Sequence, residues 1–134
     1  GTPAHPMEPP TEVPRNKVHI MPTQLHELGS LLANCVAACE LCVKGCTQMG
    51  GGEKFDACIA DATVCGELCG ALMRMLPSAT LPDIAMMAKD LAAVCARTCE
   101  ACAKECSKHP DMPHCVACAQ ACANCSKECR TFVR

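Results

Sequence analysis

The sequence predicts an all-α fold: an antiparallel, up-down-up-down four-helix bundle with a cysteine-lined core, preceded by a proline-rich N-terminal arm. Three observations carry this expectation. The sixteen cysteines fall in four groups: Cys35, Cys39, Cys42 and Cys46; Cys58, Cys65 and Cys69; Cys95, Cys99, Cys102 and Cys106; and Cys115, Cys118, Cys122, Cys125 and Cys129. Within each group the steps are three, four or seven residues, the return intervals of one helix face, so each group draws a sulfur stripe down one helix. Helix breakers stand between the groups, at Gly50-Gly51-Gly52, Pro77, and Pro110 with Pro113. Links this short make consecutive helices antiparallel neighbours.

Residues 1–22 hold six prolines (Pro3, Pro6, Pro9, Pro10, Pro14 and Pro22) and no cysteine. Proline at that density breaks a helix and favours an extended arm. His5, Met7, His19 and Met21 lie on the arm, either as incidental residues or as metal-ferrying ones. Residues 23–134 are assigned to the bundle. The first helix is expected from Thr23, acting as its cap, to Met49, where the glycines stop it. Its seam reads Leu25, Leu28, Leu32, Cys35, Cys39, Cys42, Cys46 and Met49, a heptad pattern that changes from leucine to sulfur halfway along. The second helix runs from about Glu53 to Leu76, with Phe55, Cys58, Ala62, Cys65, Cys69, Leu72 and Leu76 on its seam. Gly66 and Gly70 are unfavourable inside it and point to close packing beside the sulfurs.

Thr80-Leu81-Pro82-Asp83 opens the third helix, with proline in the first turn and an acid near the positive end of the dipole. Ile84, Met87, Leu91, its four cysteines and His109 are read as its seam. Asp111 is a candidate cap for the fourth helix, whose seam ends at Phe132. Antiparallel order then sorts the residues by end. One pole collects Leu25, Leu28, Leu72, Met73, Leu76, Ile84, Met87 and Phe132 as an apolar plug. The other collects Met49, Cys46, Cys58, Cys106, His109, Met112, His114 and Cys115, a sulfur-rich mouth through which metal would pass.

Composition narrows the chemistry. Half of the 134 residues are hydrophobic, but there is no Trp or Tyr and the only Phe are Phe55 and Phe132. Cysteine must therefore supply core volume, as a protonated thiol can. The net charge of −2 argues against nucleic acid or an anionic membrane as partner. No apolar run is expected to span a bilayer. No signal peptide is visible, and a chain that starts at Gly1 instead of Met reads as a mature or trimmed form, from which any export signal would already be gone.

Sixteen helical thiols admit several uses. Disulfides within one helix would close tiny loops and add little. Zinc wants four thiolates in a tetrahedron, leaving two net negative charges per site, which is costly when several sites stack in a dry core. Iron–sulfur clusters want cysteines on loops that wrap them. Cuprous ion is soft, monovalent and satisfied by two or three thiolates. Seven C-x3-C pairs occur: Cys35/Cys39, Cys42/Cys46, Cys65/Cys69, Cys95/Cys99, Cys102/Cys106, Cys118/Cys122 and Cys125/Cys129. Such sulfurs start about 5–6 Å apart on a helix face and can lean inward to grip one ion. Cys58 and Cys115 lack such a partner and would bridge helices near the mouth. Charge neutrality sets the capacity on the order of one Cu(I) per cysteine. Met49, His109, Met112 and, behind them, His114 are candidate ligands for admitting the metal.

The segments NCVAACELCVKGCTQM, CARTCEACAKEC and HCVACAQACANCSKEC make residues 23–132 resemble the bacterial copper storage proteins. The resemblance implies a bundle holding many cuprous ions on inward-facing cysteines, with Met49 and the His109–Met112 turn at its open end. It also implies a homotetramer, possession of copper-requiring client enzymes, and either export or residence in the cytosol; the His- and Met-bearing arm favours export to the periplasm. A di-metal oxidase in the same architecture would need inward Glu-x-x-His pairs, and no Glu in the chain is followed by His at that spacing. The chain is therefore not expected to be an enzyme. Zinc or iron–sulfur binding and a metallothionein-like detoxifier remain the alternatives, while a purely structural bundle gives no reason to prefer cysteine over leucine.

Overall fold

The computed structural model describes residues 20–134, which form four helices: α1 (Pro22–Gln48), α2 (Asp56–Met75), α3 (Pro82–Cys106) and α4 (Pro113–Val133). His5, Met7 and His19 lie outside the described residues. Contacts between sulfurs fix the topology. Climbing α1 from Cys35 to Cys42 descends α2 from Cys65 to Cys58, at 3.8 and 3.7 Å. Cys58 meets Cys106 and Cys65 meets Cys99 across α2 and α3. Cys102 meets Cys118 across α3 and α4, and Cys46 meets Cys115 across α1 and α4. Neighbours are thus antiparallel, while the diagonal pair α1 and α3 runs parallel through Cys35–Cys99 and Cys42–Cys106.

The helix starts differ from expectation in a consistent way. α1 begins at Pro22, one residue inside the predicted arm, and Met21 takes the cap position in place of Thr23. The Met21 N–H donates to Gln24 Oε1 at 2.9 Å. Likewise Met112, not Asp111, precedes Pro113 at the head of α4, and Leu81 precedes Pro82 at the head of α3. In each case proline occupies the first helical position, where its fixed φ suits the helix and its missing N–H costs nothing. The α1 stop is as predicted. Gly50 and Gly51 have φ of 94° and 59°, and their N–H groups donate to Thr47 and Cys46 carbonyls at 3.0 and 3.1 Å. Such a left-handed close needs glycine. α2 then starts at Asp56, later than Glu53, because Phe55 and Asp56 first donate to the Gly52 carbonyl in a separate turn.

The apolar pole is built from Leu28, Leu32, Leu72, Leu76 and Phe132, all buried. Lys89 lies over the Phe132 ring at 4.9 Å and donates to the Phe132 carbonyl at 2.6 Å, a cation placed at the negative end of α4. One predicted seam fails here. Met87 is half exposed and Ile84 and Leu91 are only partly covered, whereas Ala85, Ala88 and Ala92 are buried. Carried back from Cys95, a strict alternation of three and four residues reaches Ala92, Ala88 and Ala85. The predicted path took two successive steps of four and drifted off the face. Met49 also leaves its seam: it caps α1 and is 53% exposed. By length and composition α1 is apolar enough to cross a membrane, with mean hydropathy 1.3, contrary to expectation. Its alanines and cysteines raise the score, and its stripe from Leu28 to Cys46 is buried against the other helices.

Candidate metal centre

All sixteen cysteines are free thiols buried in the bundle. Each stripe faces inward because its three-and-four spacing tracks the helix contact line. Near the glycine turn, Cys58 Sγ lies 3.3 Å from Cys106 and 3.9 Å from Cys115, and Cys46 lies 3.7 Å from Cys115. At mid-length Cys122 lies 3.7 Å from Cys35 and 3.8 Å from Cys39. Deeper still, Cys99 lies 3.5 Å from both Cys65 and Cys69. A disulfide would hold its sulfurs at about 2.05 Å, so these are non-bonded thiols within reach of a shared ion.

The expected two-coordinate grip within one helix is only part of the arrangement. Cys65/Cys69, Cys102/Cys106 and Cys118/Cys122 do approach to 3.9 Å. The shortest contacts, however, cross between helices, and the sulfurs gather in five clusters with members within 4.8 Å of one another. From the mouth inward these are Cys42/Cys46/Cys58/Cys115, Cys42/Cys106/Cys118, Cys39/Cys102/Cys118/Cys122, Cys35/Cys39/Cys65/Cys122 and Cys35/Cys65/Cys69/Cys99. Successive clusters share members: Cys42, then Cys118, then Cys39 with Cys122, then Cys35 with Cys65. The result is a continuous sulfur chain. Cys95, Cys125 and Cys129, next to the apolar plug, belong to none of the clusters.

The thiols share protons among themselves: Cys35 is lowered by the adjacent Cys122, and Cys65 and Cys118 by the adjacent Cys102, while others are held neutral. Burial pushes Cys58 upward, and burial followed by the neighbouring Cys46 pushes Cys115 up to about 12. The Cys106 and Cys122 thiols are raised first by the adjacent Cys102 and then by Cys118. A charged sulfur in so dry a site is disfavoured until a cation replaces its proton.

The candidate admission residues occupy the mouth end but do not converge. His109 is buried, yet it joins no sulfur cluster; its ring packs on Phe55 with centroids 5.0 Å apart. Lys54 lies over the other partner of that stack, 5.6 Å from the Phe55 centroid. This ring pair escaped the sequence reading, although the register that pairs Cys58 with Cys106 also pairs Phe55 with His109. Met112 is partly buried at the head of α4, and Met49 stands outside. His114 packs sideways on the α1–α4 flank. A Cβ placed on Gly45 would come within 2.6 Å of its Cγ, and its buried Nε2 has no hydrogen-bond partner. Gly45, which supplies no ligand, is there to make room for that ring.

A four-helix tube whose interior is one connected run of free thiols is a soft-metal-binding bundle. The chain belongs to the copper storage protein family, whose model matches residues 21–134. The structure is similar to that of Cu(I)-bound copper storage protein BsCsp3, with TM-score 0.74 and 29% identity over 83% of this chain and 99% of that one. It is also similar to apo-Csp3 from Bacillus subtilis, with TM-score 0.71 and 29% identity over 81% and 98% of the two chains. An uncharacterized cysteine-rich protein of Bacillus subtilis (strain 168), YhjQ, is 35% identical over 84 residues, covering 63% of this chain and 72% of the relative. Storage of Cu(I) on clustered buried thiols is the function of this fold and site.

Proposed function

We propose that all sixteen cysteines serve as ligands and that the chain takes up on the order of one Cu(I) per cysteine. The sharing of Cys35, Cys39, Cys42, Cys65, Cys118 and Cys122 between clusters carries this reading. A sulfur that belongs to two clusters can bridge two monovalent ions, so the array approaches neutrality as it fills. Zinc wants four ligands in a tetrahedron at each site, and the Cys42/Cys106/Cys118 cluster offers only three thiols, a number that suits Cu(I). The ions pass in at the Gly50–Phe55 end, where Met112 and His109 lie beside Cys58 and Cys115, and Met49 offers a solvent-facing thioether. A thioether holds Cu(I) without charge and releases it inward.

The stored copper serves copper-requiring client enzymes or is held harmless, and the chain carries out no catalysis of its own. Copies assemble as a homotetramer, which light scattering on the purified protein checks. Export is supported by the His- and Met-bearing residues 1–22, and cell fractionation tests it. The deciding experiment for the site is titration of reduced protein with Cu(I) against a coloured chelator. Uptake on the order of the cysteine count is expected. Saturation after one or two ions, or tighter retention of zinc, would overturn the assignment.

A further inference from the structure

The wall of the thiol core is thin at a second place, away from the glycine-turn end. On the α1–α2 flank a groove of about 310 Å³ opens at mid-length. Its floor includes Cys39, a member of the two central clusters. Every other cysteine is 0% exposed; Cys39 is 1% exposed. Gly66 keeps that floor thin: a Cβ there would come 3.3 Å from the Cys39 Cβ, tighter than ordinary packing. Gly66, read from the sequence as a close-packing site, therefore also brings the surface down to the sulfur chain, while Gly70 only lines the groove.

The walls carry both signs of charge. Glu40 and Glu67 stand with Lys44 and Arg74 around the groove, all four exposed. No ion pair among the described residues engages any of them. Unpaired charges of both signs around a thin place above a ligating sulfur fit a small molecule with an ammonium, carboxylates and a soft donor.

We propose that this groove is a side port at which a low-molecular-weight zwitterionic thiol exchanges copper with Cys39, a role that rests on the core sulfurs holding Cu(I). The step is a ligand exchange. The incoming sulfur bonds to Cu(I), the Cys39–copper bond breaks, and the proton of the incoming thiol passes to the Cys39 sulfur. Copper stays cuprous and no electron moves. Lys44 and Arg74 receive the carboxylates of the incoming molecule, and Glu40 and Glu67 its ammonium.

The test compares the copper-loaded wild-type chain with Thr63→Trp, which lays a ring into the groove from its exposed rim, and with the double variant Lys44→Gln/Arg74→Gln. Copper loss is followed to glutathione and, separately, to bathocuproine disulfonate, which is too broad and rigid to enter. Thr63→Trp is expected to slow transfer to glutathione on the order of tenfold, and the double variant about threefold. Transfer to bathocuproine disulfonate should be unchanged in both. Equal slowing towards both acceptors, or no slowing towards glutathione, overturns the port. If Thr63→Trp fails to fold, the surface double variant decides the matter alone. Capacity is read in parallel: a wild-type chain that binds only one or two ions refutes storage itself, whereas full capacity with unaltered rates refutes only the port.

Discussion

The two ends of the bundle share one helical register and differ only in what fills it. Towards the α2–α3 link the seam carries Leu28, Leu32, Leu72, Leu76 and Phe132, with alanines from α3. Towards the glycine turn the same positions carry sulfur. A buried leucine contributes about 1.5–3 kcal/mol, whereas each buried carbon-sized group contributes about 0.8 kcal/mol. The plug therefore carries more of the stability per residue. The sulfur half is then free to exchange protons for metal without losing the fold, and a folded metal-free bundle is expected, which circular dichroism of the reduced apoprotein checks.

The sharpest way to break that contrast is truncation at each end. Leu72→Ala in the metal-free protein should cost about 3 kcal/mol, read by chemical denaturation. Cys65→Ala, equally buried, should cost about 1 kcal/mol. Loading with copper should restore much of the Leu72→Ala loss, because an ion that binds only the folded chain stabilises it by mass action, about 4 kcal/mol per site at a thousandfold excess over its dissociation constant. Equal costs at both ends would erase the division between plug and reservoir.

A second comparison lies within the sulfur half. Cys39 and Cys122 each belong to two clusters, while Cys95 and Cys129 belong to none. Cys39→Ala/Cys122→Ala should remove more than two ions from the titrated capacity and weaken those that remain. Cys95→Ala/Cys129→Ala should remove at most about two, by the same neutrality argument. Matching losses would show that the array fills as independent pairs.

Acidity sharpens the contrast further. Because burial raises Cys115 from 9.0 to about 12, the folded chain keeps a proton that the unfolded chain loses. The stabilisation is complete below the unfolded value and fades as pH climbs from 9 towards 12. Metal-free stability should thus fall as pH rises from 9.0 towards about 12, measured by denaturation in each buffer. Copper uptake has the opposite sense. Each ion must displace a proton, so apparent affinity should rise through the neutral range, up to about tenfold per pH unit for each proton released.

Much of this was legible in the chain, for a physical reason. Sulfur at strict three-and-four spacing leaves a single inward face, so the α2 and α4 seams from Phe55 to Leu76 and from Cys115 to Phe132 are the ones observed. The α3 seam above Cys95 was misread because Ile84, Met87 and Leu91 outrank alanine as core formers, and tight helix packing prefers the small residues on the contact line. The capping sites were misread because Thr23 and Asp111 are good caps in isolation, while the adjacent prolines dictate the first helical position. Clustering between helices was invisible along one stripe; it emerges only when four stripes are set in register.

The smallest expected effect lies at the mouth, where the sequence supplied the residues but not their contact. Phe55 and His109 form a tilted ring pair at the glycine-turn end of the bundle, and Phe55 follows a turn whose three glycines all have positive φ. Neither ring belongs to a thiol cluster, so loss of the Phe55 ring should leave capacity intact and act on rate alone. Phe55→Ala is expected to speed Cu(I) uptake about threefold, since an aromatic contact is worth about 0.5–1.5 kcal/mol, while the ion count stays at the wild-type value. Stopped-flow uptake with a matched endpoint titration separates the two. A lower endpoint would make the pair part of the sulfur scaffold. An unchanged rate would mean that ions reach Cys58 and Cys115 without disturbing it, and that Met112 alone marks the way in.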